Sequence, residues 1–212
     1  MGLMFSNRTQ AAKSLAKTPE LKKLAAFPDA VVLGIPRGGV VTAAELAREL
    51  HLPLGSIVTR KITTPENPEF ALGAVGESGE AVWNEAGAGL FSDRDRKAME
   101  QEARKEAARR NVVFHGNREP DLIGKTAILV DDGLATGMTM LSAVNEARGK
   151  AAKQVIVAVP VAPSETVEKI RAIADEVVVL DIPIYFAAVG QFYREFPQIS
   201  DEEVTKILSG VK

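Results

Sequence analysis

Two adjacent carboxylates, Asp131 and Asp132, close the apolar run Ile128-Leu129-Val130, and the stretch Gly133-Leu134-Ala135-Thr136-Gly137-Met138-Thr139 follows at once. An apolar strand would deliver the carboxylates to its C-terminal end, where ligands of open parallel sheets bind. The loop Ala135–Thr139 then opens a helix, and free backbone N–H groups with the helix dipole favour a phosphate there. Thr136 and Thr139 add hydroxyl donors, Ala135 and Met138 complete the loop, and Gly137 lets the backbone come close to an anion. An anion cradle beside a carboxylate pair suits a ligand with a phosphate at one end and hydroxyls or Mg²⁺ near its middle. A sugar phosphate fits that description. A dehalogenase-type or receiver-type aspartate site would require a different spacing and other partners.

Two further groups carry chemistry. Pro36-Arg37-Gly38-Gly39 follows the apolar run Ala30–Ile35, so backbone amides and a guanidinium stand where a strand turns into a helix. Such a turn can stabilise negative charge developing on a leaving group. Arg60 and Lys61 form a basic pair after a second short apolar run.

These loops need elements to hold them. The pattern predicts a helix over residues 8–26, interrupted at Pro19, a buried strand at 30–35 and a helix at 41–50. A strand is expected at 54–59, a loop and β-hairpin within 61–84, and a charged helix at 93–115. After Gly124 the alternation is regular: strand 126–130, helix 139–148, strand 154–159, helix 164–174, strand 176–180. Strands separated by helices of this length make βαβ units and a parallel sheet. Ser200 with Glu203 forms a capping box for a last helix. The expected organisation is one domain over 1–212, with 61–115 as a lid insertion and 181–212 as a C-terminal hood.

Composition narrows the function. The 212 residues contain no cysteine and two histidines, so thiolate chemistry and histidine-rich metal sites are excluded. A bound metal should be hard and oxygen-ligated. The net charge of −2 and the absence of a basic tail argue against nucleic acid as a partner. No apolar run approaches the roughly 18 residues of a membrane span, and the first residues lack a signal sequence, so a cytoplasmic protein is expected. The segment 93–118 interleaves Arg94, Arg96, Lys97, Arg104, Lys105, Arg109, Arg110 and Arg118 with five acids, the pattern of a solvated face.

The stretch Ile128–Thr139 resembles the motif by which type I phosphoribosyltransferases bind 5-phosphoribosyl-1-pyrophosphate (PRPP). With "IPRGG", "RKI…PENPEFALGAVGE" and "AVGQFYREFPQISDEEV" the resemblance covers most of the chain, and it points to a branch with an unassigned acceptor. It implies a parallel sheet flanked by helices, with a hood and lid. It also implies Mg²⁺-dependent transfer of a phosphoribosyl group to a nitrogenous base or related amine, in nucleotide and nucleoside metabolism. Asp131 and Asp132 would hold the ribose hydroxyls and, largely indirectly, Mg²⁺. Residues 135–139 would hold the 5′-phosphate. Pro36, Arg37, Gly38 and Gly39, with Arg60 and Lys61, would hold pyrophosphate, and a non-proline cis peptide is expected at Arg37–Gly38. Catalysis would fall to Lys61, Arg37, Asp131 and Asp132.

Within the hood, "IPIYFAAVG" resembles the base-stacking stretch of hypoxanthine–guanine enzymes, which makes Tyr185, Phe186 and Val189 the base-binding candidates. Departures argue against a 6-oxopurine. Ala135 stands where those enzymes carry aspartate, and Val159-Pro160-Val161-Ala162 lacks their lysine. Arg194 and Glu195 stand near their metal-binding aspartate. Glu69 and Glu77 are candidate acid–base groups. Partners would be PRPP and a small acceptor, with a homodimer as the family's habit. The alternatives are a PRPP-sensing regulator without turnover and a generic sugar-phosphate module.

Overall fold

The computed structural model of the protein describes residues 4–24, 27, 29–64, 71–84, 89–115 and 120–210. Five parallel strands form the main sheet: β1 (Ala30–Gly34), β2 (Leu54–Ser56), β6 (Thr126–Val130), β7 (Gln154–Val161) and β8 (Glu176–Asp181), in the order β2-β1-β6-β7-β8. A smaller antiparallel sheet holds β3 (Arg60–Ile62), β4 (Gly73–Val75) and β5 (Val82–Trp83) in sequence order.

Alternation along the buried strands sorts side chains to two faces. Val31, Leu33, Ala127, Leu129, Val155 and Val157 pack with Met140, Ala143 and Ala147 of α5 (Met138–Gly149) and Ile170 of α6 (Ser164–Arg171). Val32, Ile128, Val130 and Ile156 pack with Leu15 of α1 (Arg8–Leu15), Leu21 of α2 (Pro19–Leu24) and Leu46 of α3 (Gly38–Leu50). The chain leaves β1 toward one edge and β6 toward the other. The switch point therefore lies between these neighbours, and a crevice opens beyond their carboxyl ends.

Local chemistry sets several boundaries. Pro19 starts α2, where its missing N–H is no loss, and so splits the helix expected over 8–26. The strand expected at 54–59 keeps ladder pairing only to Ser56, opposite Gly34, because β1 ends before Pro36. α3 begins at Gly38, earlier than Val41, and β7 continues to Val161. Ser200 and Glu203 cap α7 (Asp201–Ser209) reciprocally, as expected.

The charged helix α4 (Asp93–His115) is internally compensated. Arg96 pairs with Asp93, Arg104 with Glu100, and both Arg109 and Arg110 with Glu106. The hydrogen bond from Arg109, reinforced by Arg110, holds the Glu106 carboxyl down to about 2. Such a face offers phosphates few unspent cations. Arg118 lies outside the described residues. Among the described residues, no helix is long and apolar enough to cross a membrane.

Candidate functional site

β6 ends at Val130 and hands over Asp131 and Asp132; β1 ends at Gly34 and hands over the turn Pro36–Gly39. The two loops press together. A Cβ on Gly38 would lie 2.0 Å from Asp132 Oδ2, and one on Gly39 would lie 2.8 Å from Asp131 Oδ1 and from the Val130 carbonyl oxygen. Glycine is required at both positions because a carboxylate and a strand end occupy the space a side chain would need. Gly38 and Gly39 open the first turn of α3, with Arg37 at its N-cap position. The non-proline cis peptide is at Pro36–Arg37, one residue before the expected Arg37–Gly38 bond. Arg37 is half-exposed, and its guanidinium lies 3.9 Å from Asp201 Oδ1 at the start of α7.

The loop after Asp132 meets the geometric need of an anion cradle. Gly137 takes φ +75° at the N-cap of α5, and no side chain caps that helix. The amides of its first turn are left to a ligand. A Cβ on Gly137 would also stand 2.6 Å from Thr166 Cγ2, while the Thr166 hydroxyl donates to the Ala135 carbonyl at 2.6 Å. Ala135 and Thr136 are exposed; Met138 and Thr139 are half-buried.

The two aspartates differ in environment. Asp132 is 8% exposed, and its Oδ2 accepts from Arg8 Nε at 2.7 Å. The Tyr193 hydroxyl donates to the Asp132 backbone carbonyl at 2.5 Å. Asp131 Oδ1 accepts from the Asp132 amide at 2.8 Å, and Asp131 remains partly accessible. Burial pushes the Asp131 carboxyl well above the usual carboxylate range, and the neighbouring Asp132 charge pushes the same way. Burial raises Asp132 too, against the opposing Arg8 guanidinium. Burial, chiefly, also pushes the Tyr193 phenol up.

Lys61 lies on β3. It shares a cleft of about 890 Å³ with Ala135, Thr136 and Met138 on one wall and Trp83 of the small sheet and the adjoining Asn84 on another; the lining includes neither aspartate nor the turn Pro36–Gly39. Arg60, its neighbour along the strand, lies in a different cleft, with Glu102 and Glu106 of α4. Lys61 also borders that cleft. Arg60 and Lys61 thus share one cleft, and Lys61 alone also lines the cleft beside residues 135–138. Lys61 is exposed, and its replacement by alanine is expected to leave the melting temperature unchanged while slowing pyrophosphate exchange about tenfold or more. Unchanged exchange would place Lys61 outside the site.

The small sheet is anchored to the helix that follows the 135–139 loop. Glu146 of α5 is 1% exposed and accepts from the Ser78 and Gly79 amides at 2.8 and 2.7 Å and from the Ser78 hydroxyl at 2.8 Å. Arg104 of α4 donates to the carbonyls of Glu77 and Gly79 at 2.9 and 3.0 Å. Glu146→Ala would leave the buried Gly79 amide unpaired, at about 1–3 kcal/mol, and release the less buried Ser78 amide to water. The expected result is a lower melting temperature with faster amide exchange at Ser78 and Gly79; unaltered exchange there would refute the anchor.

The hood candidates separate. Val189 packs over the loop, since a Cβ on Gly133 would lie 2.6 Å from its Cγ1. Phe186 packs against Phe192, ring centroids 5.4 Å apart, in a cluster with Phe5, Tyr193 and Val161. Tyr185 is 86% exposed, and none of the three lines the cleft that holds Lys61. Glu77 accepts from Asn111 Nδ2 at 3.0 Å and does not line the cleft, and Glu69 lies outside the described residues. Arg8, Tyr193, Glu146 and Trp83 went unread in the sequence. Two carried a signal there: Trp83 as the chain's single tryptophan, and Tyr193 by its place in the AVGQFYREFPQISDEEV stretch.

Residues 7–195 match the model of the phosphoribosyl transferase domain family. Two Mycobacterium tuberculosis proteins, from strains CDC 1551 / Oshkosh and H37Rv, are each named "Putative phosphoribosyl transferase". Each is 42% identical over 212 residues, covering 97% of this chain and 46% of its own length. The chain spans about half the length of these curated relatives. The crystal structure of TT1426 from Thermus thermophilus superposes at a TM-score of 0.81 with 39% identity over 99% of both chains. A hypoxanthine-guanine phosphoribosyltransferase of Bacillus anthracis, 15% identical, superposes at 0.51 over 94% of this chain and 95% of its own, a likeness of fold.

Proposed function

Given that the chain belongs to the phosphoribosyl transferase domain family, we propose that it transfers the phosphoribosyl group of PRPP to a nitrogenous base or related amine and releases pyrophosphate. The observation that carries this reading is the contact between the β1 and β6 loops. Gly38 and Gly39 lie against Asp132 and Asp131, a few residues from an uncapped helix N-terminus. One ligand spanning that crevice would need pyrophosphate, ribose and a terminal phosphate in that order.

In the reaction the bond between the ribose anomeric carbon and pyrophosphate breaks, its electron pair leaving with the pyrophosphate. The acceptor nitrogen supplies the new bond and gives up a proton. The α5 amides, with Thr136 and Thr139, hold the 5′-phosphate. Asp131 and Asp132 orient the ribose. The Gly38 and Gly39 amides, Arg37 and Lys61 meet the charge that grows on the leaving group.

Mg²⁺ fits the donor set only together with the substrate's own oxygens. Among the described residues, no three His, Cys, Asp or Glu side chains are grouped to hold a metal ion. Hard carboxylate oxygens at Asp131 suit such a cation through water or sugar. When bound, it would neutralise pyrophosphate charge.

Val189 and Phe186 border the acceptor end, and Ala135 supplies no carboxylate there, which favours an acceptor other than a 6-oxopurine. The protein would act in the cytoplasm, on nucleotide or nucleoside metabolism, as a homodimer. The deciding experiment is a screen of bases and amines for pyrophosphate release from PRPP with Mg²⁺. Release with one acceptor class supports an enzyme. PRPP binding without release under any acceptor would favour a sensor.

A further inference from the structure

We infer that Arg8 is a positioning residue for the sugar site: from the first turn of α1 it holds Asp132, together with the C-terminal segment 193–197, in the arrangement that the ribose of PRPP requires. This rests on the PRPP reading above. Arg8 is 7% exposed, and two of its guanidinium nitrogens and the flat face of the group are engaged. Nε donates to Asp132 Oδ2 at 2.7 Å and Nη1 to the Pro197 carbonyl at 2.8 Å, while the flat face lies 3.8 Å from the centroid of Phe196. Phe196 stacks on Tyr193 at 4.9 Å, and the Tyr193 hydroxyl donates to the Asp132 carbonyl. The side chain and backbone of Asp132 are thus fixed from the two ends of the chain.

A stability role alone does not account for this pair. Buried ion pairs are often no more stabilising than apolar residues of the same volume. What a fixed charge does supply is one orientation for a carboxylate. Arg8 also reaches the neighbouring turn, since a Cβ on Gly38 would lie 3.1 Å from its Nε. A lysine could keep the charge on Asp132 but not the fork to Pro197 or the stacking on Phe196.

The test is a double-mutant cycle on PRPP–Mg²⁺ binding, read by calorimetry with Arg8→Gln, Arg8→Lys, Asp132→Asn and the Arg8→Gln/Asp132→Asn pair. Arg8→Gln is expected to weaken binding about tenfold or more in the wild-type background but less than about threefold beside Asp132→Asn. Arg8→Lys should fall between wild type and Arg8→Gln. A purely structural effect would weaken both backgrounds equally, and additive losses would overturn the assignment. If Arg8→Gln does not fold, wild-type affinity in folded Arg8→Lys overturns it. Failure of the wild type to bind PRPP would sink the functional reading and the role of Arg8 with it; binding with additive losses would sink the role of Arg8 alone.

Discussion

Asp131→Asn combined with Asp132→Asn is expected to abolish PRPP binding in a calorimetric titration. A charge-assisted hydrogen bond contributes about 1.5–3 kcal/mol, so two lost contacts to ribose hydroxyls correspond to roughly 10²- to 10⁴-fold weaker binding. Retained affinity would remove both residues from the sugar site. The single Asp131→Asn variant should gain stability as it loses ligand. Burial raises the Asp131 carboxyl well above its ordinary value of 3.8, so the folded protein holds that proton more tightly than the unfolded chain. Its favourable contribution is complete below that value and is lost as pH rises through the raised folded value. Asparagine imitates the protonated form and escapes the loss. The melting temperature of Asp131→Asn should therefore exceed wild type at pH 7, with the gap closing toward pH 3.8. Equal melting curves at both pH values would mean that the Asp131 carboxyl is not raised in the folded protein.

Gly39→Ala is expected to reduce turnover about a hundredfold or more, since displacements near 1 Å at a reacting site have that effect. The new methyl would lie 2.8 Å from the Val130 carbonyl oxygen and 2.9 Å from the Asp131 Cα. Both are backbone atoms at the end of a central strand and cannot turn aside. The two loops must part, at about 1–3 kcal/mol for the overpacking. Gly210→Ala is the control: its Cβ would meet nothing closer than 3.4 Å, and activity should be unchanged. Full turnover in a folded Gly39→Ala protein would show that the β1 turn does not rest on Asp131.

Interactions within a dozen residues were readable from residue types. The strand Thr126–Val130 has the bounds its apolar run predicts, the turn after Asp132 leads into a helix, and Ser200 with Glu203 caps the last helix. In each case the periodicity, the glycine or the cap acts on its own neighbourhood. Hence the parallel sheet and the strand–turn–helix that carries Asp131 and Asp132 were legible before any coordinates. Other contacts join residues far apart in the chain. Arg8 meets Asp132 across 124 positions, Glu146 meets Ser78 across 68, and Tyr193 meets Asp132 across 61. Nothing near Arg8 in sequence marks it as buried, and Arg60 and Lys61 look alike until the fold gives Lys61 alone a second cleft, beside residues 135–138. The glycines of the β1 turn read as amide donors in sequence, and their close fit against the two aspartates arises only once β6 is set beside β1. Sequence determined which local elements form, because their energies arise between near neighbours. Only the tertiary structure decided which aspartate is locked by a guanidinium and which loops touch, because those contacts exist only after distant segments have packed.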